Sequence, residues 1–322
     1  MNLAGIQRLI PARMKFSLKP YYRRVFGNRL HVLFWPTFRC NYRCSYCTVY
    51  TKFNFTKVYA PNAEVKVDQW LEGLEKLPPA MIYIAGGEPF LYAKLPDLVN
   101  NLPKKHRLLG IVSNISLPAS VYRKIERPIH LNASFHREFV SADNFIARVK
   151  ELQEFFHVHV NIVATPENLP VISSIDELMS KHRISLHVDP YVDHEFRYSA
   201  AEQQVLRKHI TADRSKLVEF DDFSSKQCSA GRNYINLLPN GDVFTCAAGF
   251  NYIHSPLYSE IVKGRDLSHF PMRNLFDPAF KLNSTDVICG LPCKDACDRD
   301  AVILKTIQPL PQNRAAAAGA GQ

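Results

Sequence analysis

The first 63 residues contain no aspartate or glutamate, although they carry eleven lysines and arginines. The rest of the 322-residue chain has 29 basic and 30 acidic residues, so the net charge of +10 originates in this N-terminal part. A nucleic-acid-binding domain usually shows basic patches across its binding surface. We therefore expect no nucleic-acid partner and a single basic face close to the N-terminus.

Long apolar runs are also missing. The longest apolar-rich stretch has about nine residues, from Leu30 to Phe38, whereas a transmembrane helix needs about twenty. The N-terminus lacks the apolar segment of a secretion signal; an Arg-rich transit peptide over residues 1–28 stays open as an alternative. We expect no transmembrane segment and a cytoplasmic location, where the eight cysteines stay reduced. Closely spaced thiols in that setting more often hold metal than pair as disulfides.

From Leu30 onward, strand-like and helix-like segments alternate. The strand candidates are LHVLFWPT, MIYIAGG, LLGIVSN, IHLNASF, VHVNIVAT and ISLHVDPYV; the helical segments are Val67 to Leu77, Leu95 to Leu102, Ala119 to Arg127, Ala142 to Phe155 and Val171 to His182. This alternation predicts an α/β unit of parallel strands with right-handed crossovers. Periodicity alone does not choose between a doubly wound sheet and an incomplete barrel.

The pattern changes after a sixth helix near Ala200 to Ile210. The segment NYINLLPNGDVFTC predicts two strands around an Asn240-Gly241 turn. We therefore expect a basic N-terminal extension (1–28), the α/β unit (29–215), a smaller module with a β-hairpin (216–308) and a disordered low-complexity tail (309–322).

Three cysteines follow the first strand in a C-x3-C-x2-C arrangement: Cys40, Cys44 and Cys47. Thiolates favour zinc or iron–sulfur centres. Three protein ligands leave one coordination position open, which is typical of a metal site that does chemistry. Arg39 and Arg43 lie beside these cysteines and can offset the negative charge of the ligated thiolates.

This motif, with the aromatic Tyr46 before its last cysteine, resembles the signature of radical S-adenosylmethionine (SAM) enzymes. The resemblance covers about residues 30–200 and implies a partial (β/α)6 TIM-like barrel. It also implies that the three cysteines bind a 4Fe-4S cluster whose fourth iron is chelated by SAM. A structural zinc loop is the alternative.

A second motif, IAGGEPF at the end of the second strand, matches the GGEP of that family. The resemblance assigns Gly86, Gly87, Glu88 and Pro89 to the methionine amino group of SAM. Paired glycines permit a close approach of backbone to ligand, and a glutamate can accept from an ammonium group. Weaker matches follow, namely Ser113, Asn114, Asn132 and Ser134 for the ribose and carboxylate of SAM and Val163 and Thr165 for its adenine.

Five further cysteines are Cys228, Cys246, Cys289, Cys293 and Cys297. Their spacing resembles the SPASM or twitch extension of radical SAM enzymes, in the shorter form with one auxiliary 4Fe-4S cluster. Five thiols exceed the four ligand positions of such a cluster, and the sequence does not show which of Cys289, Cys293 and Cys297 is spare. It is either unused or a hydrogen donor to a substrate radical; a structural zinc site is the alternative for the whole set.

The resemblance implies an oxidoreductase-type enzyme whose 5′-deoxyadenosyl radical takes a hydrogen atom from a substrate carbon. We expect a small polar metabolite such as a sugar or aminocyclitol, with a peptide maturase or epimerase as the alternative and a zinc-stabilised binding protein as the non-enzyme interpretation. Candidate catalytic and substrate-contacting residues are His136, Tyr191, Cys293 and Cys297, with Asp189, Asp193 and His194 beside them. The basic N-terminus is a solvated helix, a lipid-facing surface or a dock for an electron donor such as flavodoxin or ferredoxin.

Overall fold

The computed structural model describes residues 29–47, 64–191, 196–209, 226–255, 258–291 and 307–309. The N-terminal extension, residues 216–225 of the second module and residues 310–322 of the tail lie outside the described residues. So do four of the candidate site residues, Asp193, His194, Cys293 and Cys297.

Six strands alternate with helices in the order that the sequence predicts. They are β1 (Leu30–Phe34), α1 (Val67–Glu75), β2 (Ala80–Ile84), α2 (Leu95–Asn100), β3 (Arg107–Ser113), α3 (Ala119–Tyr122), β4 (His130–Ser134), α4 (Ala142–Gln153), β5 (His157–Ala164), α5 (Ile172–Lys181), β6 (Leu186–Pro190) and α6 (Ala200–His209). Two short 3-10 helices, Pro89–Leu91 and Leu169–Val171, follow β2 and β5.

Strand order decides between the two architectures that the sequence left open. The strands β6 to β1 lie side by side in unbroken chain order, and each pairs in parallel with the next. A doubly wound sheet reverses its strand order at a switch point. The unbroken order therefore confirms the partial barrel, with the carboxyl ends of all six strands at one edge.

One face of the sheet is apolar and packs against the helices. In β4, for example, Leu131 and Ala133 are fully buried in the core that also contains Trp70 of α1 and Val149 of α4. Successive strand residues point to opposite faces, so Asn132 and Ser134 lie on the other face. We call this second face the inner face of the barrel.

Helix α3 is shorter than predicted, because it ends at Tyr122 instead of continuing to Arg127. The side chain of Asn100, the last residue of α2, donates to the carbonyl oxygen of Lys124 (2.9 Å) and accepts from the backbone nitrogen of Glu126 (3.0 Å). These bonds occupy the backbone groups that a longer helix would use internally. The periodicity of a segment does not predict a hydrogen bond from a different helix, so the early end of α3 could not be expected from the sequence.

The second module contains β7 (Lys226–Cys228), β8 (Tyr234–Leu237), β9 (Val243–Phe244), α7 (Ala247–His254), α8 (Ser259–Val262), β10 (Val287–Cys289) and β11 (Ile307–Pro309). The predicted hairpin is present as the antiparallel pair β8 and β9. Its turn closes with a bond from the Gly241 nitrogen to the Leu238 oxygen (2.9 Å), and Gly241 takes the positive φ of 87°. Strand β8 also pairs in parallel with β1, so the hairpin continues the barrel sheet.

Strands β7, β10 and β11 form a separate three-stranded sheet with β7 in the middle. Pro309, which the sequence assigns to the disordered tail, ends β11 and pairs with Lys226 of β7. The strand therefore includes the first residue of the predicted tail.

Candidate cluster and cofactor site

The cysteine loop, residues 37–47, leaves the carboxyl end of β1 and curls back on itself. The Cys47 nitrogen donates to the Cys44 oxygen (3.0 Å), and the Tyr42 nitrogen donates to the Sγ of Cys40 (3.4 Å). Burial first, and then the neighbouring Cys47, Glu138 and Cys40, together raise the pKa of Cys44 to about 12. Burial likewise raises the pKa of Cys40, with contributions from Glu88 and Cys47. The three thiols are therefore close enough to interact, and bound positive metal would relieve the cost of ionising them.

The GGEP turn after β2 holds this loop in place. The Gly87 nitrogen donates to the Thr37 oxygen (3.0 Å), and the Glu88 nitrogen donates to the Arg39 oxygen (2.7 Å). A Cβ on Gly86, whose φ is +126°, would lie 2.5 Å from the Thr37 oxygen, and one on Gly87 would lie 2.2 Å from the Arg39 oxygen. The sequence analysis expects these glycines to let the backbone come close to a ligand. In the structure they let the backbone come close to the cysteine loop.

Glu88 is the most buried carboxylate candidate of the site, at 1% exposure. Its Oε2 accepts from the backbone nitrogen of Asn114 (2.7 Å), and its Oε1 accepts from Ser113 Oγ (3.0 Å) and from the Phe90 nitrogen (3.2 Å). Burial raises its pKa to about 7, although these bonds lower it in part. Glu88 therefore ties β2, β3 and the cysteine loop together, and an ammonium group nearby would favour its ionised form.

Asn114 links the end of β3 to the cysteine loop. Its Nδ2 donates to Asn41 Oδ1 (2.9 Å) and lies 3.9 Å from the Sγ of Cys40, while its Oδ1 accepts from Ser116 Oγ (2.6 Å). The next residue, the buried Ile115, takes a φ of +47°. A β-branched residue in that region is strained, and strained backbone concentrates at functional sites. Nothing in the sequence marks Ile115.

The β4 loop, residues 135–140, covers the cysteine loop from the other side. His136 Nδ1 lies 2.7 Å from the hydroxyl oxygen of Tyr46 and 3.2 Å from the Sγ of Cys44. Glu138 accepts from the backbone nitrogen (3.0 Å) and hydroxyl (2.8 Å) of Ser45. The sequence proposes His136 as a substrate contact, and the structure places it against the cluster loop. Glu138 was missed, because an exposed loop glutamate carries no sequence signal.

The inner face of the barrel carries a row of polar side chains across three strands. Ser134 Oγ donates to Asn161 Oδ1 (3.1 Å), and Asn161 Nδ2 donates to Asp189 Oδ2 (3.1 Å). Asp189 Oδ1 lies 3.3 Å from His187 Nε2. Asn161 and His187 were missed by the sequence analysis, although their alternation with buried residues in β5 and β6 marks them as inner-face positions.

The remaining predicted residues are more dispersed. Asn132 and Val163 lie on the inner face and are half-buried. Thr165 is buried, and its hydroxyl accepts from the Asn168 nitrogen (3.2 Å), which closes the turn after β5. The Tyr191 nitrogen donates to the hydroxyl of Tyr198 (2.6 Å), and its ring packs at the edge of the barrel core. Pro89 begins the 3-10 helix that Glu88 caps.

In the second module, the sheet register relates two of the remaining cysteines. Cys228 of β7 stands opposite Val287 of β10, two residues before Cys289. Side chains alternate along a strand, so both sulfurs lie on one face of this sheet. Both cysteines are buried, whereas Ile288 between them points to the other face and is 64% exposed. Cys246 caps the N-terminus of α7 and accepts from the Gly249 nitrogen (3.2 Å).

The residues of the cysteine loop fit a multi-iron cluster. None of the six described cysteines forms a disulfide. Among the described residues, no group of three His, Cys, Asp or Glu side chains is arranged around a single metal ion. In an iron–sulfur cluster each thiolate binds a different iron atom, so the three sulfurs need not point at a single metal position. The Glu88 carboxyl, with a pKa near neutral, adds an acceptor suited to an amino group beside that cluster.

Residues 36–185 match the family model described as the Radical SAM superfamily. The chain carries a radical SAM domain. The expectation of an enzyme is thereby confirmed, and the superfamily uses a 4Fe-4S cluster together with SAM. A search of the curated proteins finds no match to this sequence.

Solved structures share the fold at low identity. SuiB of Streptococcus suis, bound to S-adenosylmethionine, is 18% identical with a TM-score of 0.51, and the match covers 73% of this chain and 68% of that chain. His-tagged anSMEcpe with bound AdoMet is 12% identical with a TM-score of 0.53, covering 77% of this chain and 75% of that one. Native anSMEcpe with AdoMet and Kp18Cys peptide is 14% identical with a TM-score of 0.51, covering 77% and 78%.

Within the described residues, no helix is long and apolar enough to cross a bilayer.

Proposed function

We propose that this enzyme cleaves SAM reductively at a cluster held by Cys40, Cys44 and Cys47 and abstracts a hydrogen atom from a substrate carbon. The single observation that carries the proposal is the meeting of these thiols with Glu88 at the carboxyl edge of β1 and β2. A cluster bound by these thiols would supply the single electron that the reductive cleavage of the sulfonium of SAM requires, and methionine and a 5′-deoxyadenosyl radical would be the products.

The chain's own residues orient SAM and exclude water. Glu88 accepts hydrogen bonds from the amino group of SAM, and its carboxylate is held in place by Ser113 and the Asn114 backbone. Asn132 and Ser134 on the inner face, next to the edge, are the candidates for the ribose and carboxylate. The packed core behind the sheet keeps these groups on a rigid support.

We further propose an auxiliary 4Fe-4S cluster in the second module. The shared sheet face of Cys228 and Cys289 supports it, as does Cys246 at a helix N-terminus, where partial positive charge suits a thiolate ligand. Cys293 or Cys297 supplies the fourth ligand, and the other is the candidate hydrogen donor. Such a cluster would supply an acceptor for one electron, and the overall reaction would then be an oxidation.

The proposed substrate is a small polar metabolite such as a sugar or aminocyclitol. The polar row of Asn161, Asp189 and His187 supports this, because it presents amide, carboxylate and imidazole groups to the barrel interior. A peptide substrate is the second candidate. It is favoured by the structure of anSMEcpe, which holds a peptide together with AdoMet in a similar fold.

The test is anaerobic SAM cleavage under dithionite, followed as 5′-deoxyadenosine. Cys44→Ala should abolish cleavage, while the matched variant Cys246→Ala should retain cleavage but form no product. Full turnover by Cys44→Ala would contradict the proposal. Sugars, aminocyclitols and short peptides then serve as candidate substrates. Net oxidation of the product supports an electron-accepting auxiliary cluster, whereas solvent deuterium at carbon supports a thiol donor.

A flavodoxin or ferredoxin docking at the basic N-terminal part is the proposed source of electrons, and a cytoplasmic location follows from the need for reduced thiols. Attraction between opposite charges is screened by salt. The rate of cluster reduction by flavodoxin should therefore fall steeply as salt rises, and a rate indifferent to salt would rule out docking by charge.

A further inference from the structure

The cysteine ligand Cys44 has a hydrogen-bonding neighbour outside the cysteine loop. Its Sγ lies 3.2 Å from Nδ1 of His136, which follows β4 some ninety residues later in the chain. The ring of His136 also packs edge-on against Tyr42, with ring centroids 5.7 Å apart. The imidazole is therefore held over the cysteine loop by contacts on more than one side.

The position of this imidazole is fixed by the whole β4 loop. Glu138 binds Ser45 through both the backbone nitrogen and the hydroxyl. Phe139 stacks on Tyr42 with the ring planes 10° apart. Within the loop, the Phe139 nitrogen donates to the His136 oxygen (3.0 Å). The loop thus presents Nδ1 to the sulfur as part of a rigid unit and not as a single mobile side chain.

Donor and acceptor capacities decide which proton arrangement suits a bound cluster. A thiolate ligand can only accept, whereas the Tyr46 hydroxyl can donate or accept. Nδ1 carries at most one hydrogen. With Cys44 as a thiolate, the favourable arrangement places that hydrogen on Nδ1, directed at the sulfur. A neutral imidazole with its hydrogen on Nδ1 provides this donor, and its neighbours select the tautomer.

We propose that His136 is a positioning residue that donates from Nδ1 to the Cys44 thiolate and thereby raises the reduction potential of the SAM-binding cluster. The inference rests on the proposed function, since it requires the cluster at Cys40, Cys44 and Cys47. Reduction adds negative charge that spreads onto the sulfurs. A hydrogen bond to a ligand sulfur stabilises the reduced state more than the oxidised state, so the potential rises.

The primary test is an EPR-monitored redox titration of the anaerobically reconstituted protein without SAM or substrate. To isolate the SAM-binding cluster, the parent protein and all its variants carry Cys228→Ser and Cys289→Ser. His136→Phe should shift the reduction equilibrium by at least threefold towards the oxidised cluster, which is about 28 mV at 59 mV per tenfold change. His136→Asn, whose amide nitrogen falls near the place of Nδ1, should recover at least half of that shift.

Glu138→Gln is the matched control, because it loosens the same loop without touching the sulfur. It removes a negative charge near the cluster and should leave the potential equal to or higher than that of the parent protein. A purely structural role of the loop would instead move Glu138→Gln and His136→Phe in the same downward direction. An unchanged potential in His136→Phe, or an Asn variant as low as the Phe variant, would overturn the proposal.

A second measurement can be made on protein in which His136 is unchanged. Protein labelled with 15N-histidine should show a nitrogen hyperfine coupling to the reduced cluster, and this coupling should vanish in labelled His136→Asn. If this coupling is absent from a reduced, iron-loaded parent protein, the proposal is overturned. This result can be obtained even if His136→Phe fails to bind iron. A parent protein that binds no cluster at all would instead contradict the proposed function on which the inference rests.

Discussion

The carbonyl oxygen of Arg39 lies so close to Gly87 that a Cβ on this glycine would come within 2.2 Å of it. Backbone carbonyls cannot yield as a flexible side chain can. The contact therefore joins the two motifs of the site, the cysteine loop and the GGEP turn, into one rigid unit. It also explains in packing terms why a glycine stands at this position.

Gly87→Ala should displace the cysteine loop and reduce iron binding by at least half, measured as iron per chain after anaerobic reconstitution. Overpacking of this kind typically costs about 1–3 kcal/mol of unfolding free energy. Gly264→Ala is the control, because Gly264 has a φ of +71° but a Cβ there would have no neighbouring atom within 4 Å. It should cost about 1 kcal/mol from backbone strain alone and leave the iron content unchanged. Equal iron loss in both variants would contradict the account.

The affinity for SAM should depend on the ionisation of Glu88. Because the pKa is about 7, the carboxylate fraction falls as the pH drops from 7.5 to 6, and the affinity should fall by about eightfold with it. Calorimetric titration of the reconstituted protein with SAM measures this. Glu88→Gln has nearly the same shape but carries no charge, and its single amide oxygen can accept from either Ser113 or Asn114, not from both. The variant should bind SAM at least tenfold more weakly, and its affinity should not depend on pH over this range. If the affinity of the variant still depends on pH, the dependence arises from another group.

The stability effect of Glu88 has the opposite sign to that of an ordinary paired carboxylate. Its folded pKa lies above its unfolded value of 4.5, so the folded state binds more protons between those two values. The free energy of unfolding should therefore fall as the pH rises from 4.5 to 7. Denaturant unfolding of Glu88→Gln should lack this decrease relative to the parent protein.

His106 should make the barrel sensitive to acid. Its Nδ1 accepts from the Ala80 nitrogen (3.1 Å) and its Nε2 lies 2.9 Å from the Leu74 oxygen, so the neutral ring bridges α1 and β2. Burial lowers its pKa. The folded state then resists protonation, and the stability that the neutral ring contributes is lost as the pH falls below the unfolded value near 6.5. His106→Phe should cost about 2 kcal/mol at pH 8 and flatten this acid dependence, unlike the control His182→Gln at the end of α5.

Asn236 of β8 is fully buried, and neither polar atom of its amide has a hydrogen-bond partner among the described parts of the chain. An unpaired buried amide costs about 1–3 kcal/mol. Asn236→Leu, which has a similar shape, should therefore raise the free energy of unfolding by about 1 kcal/mol in urea titrations. A loss of stability instead would mean that the amide has a partner in solution.

The face shared by Cys228 and Cys289 can be tested with a neighbour as control. Cys228→Ser and Cys289→Ser should each reduce the iron content from about eight to about four per chain if both clusters are cubanes. Ile288 is next to Cys289 in β10 but on the opposite face of the sheet. Ile288→Ser should therefore leave the iron content unchanged. Loss of iron in Ile288→Ser as well would show that the substitutions act by unfolding the small sheet.

Local periodicity predicted all six barrel strands, because alternation of apolar residues along a strand and their three-to-four spacing along a helix reflect one buried face. It did not predict the parallel pairing of β8 with β1, which joins segments about 200 residues apart. Nor did it predict the Asn100 bridge that ends α3. Such contacts depend on tertiary packing, and their residues look ordinary in sequence.

The site divides in the same way. The cysteines and Glu88 follow from motifs, since their chemistry fixes both residue type and spacing. Glu138, Asn161 and the strained Ile115 belong to the site only through geometry, because Glu138 reaches the cysteine loop across 93 residues and Asn161 meets its partners only when β4, β5 and β6 lie side by side.

The most direct measurement is the iron and sulfide content of the anaerobically reconstituted protein, together with its EPR spectrum with and without SAM. We predict a brown protein with about eight iron and eight sulfide per chain, about half of it lost in Cys44→Ala, and a spectrum that changes when SAM binds. A colourless, iron-free protein, or an EPR signal indifferent to SAM, would contradict the claim that Cys40, Cys44 and Cys47 hold a SAM-binding cluster.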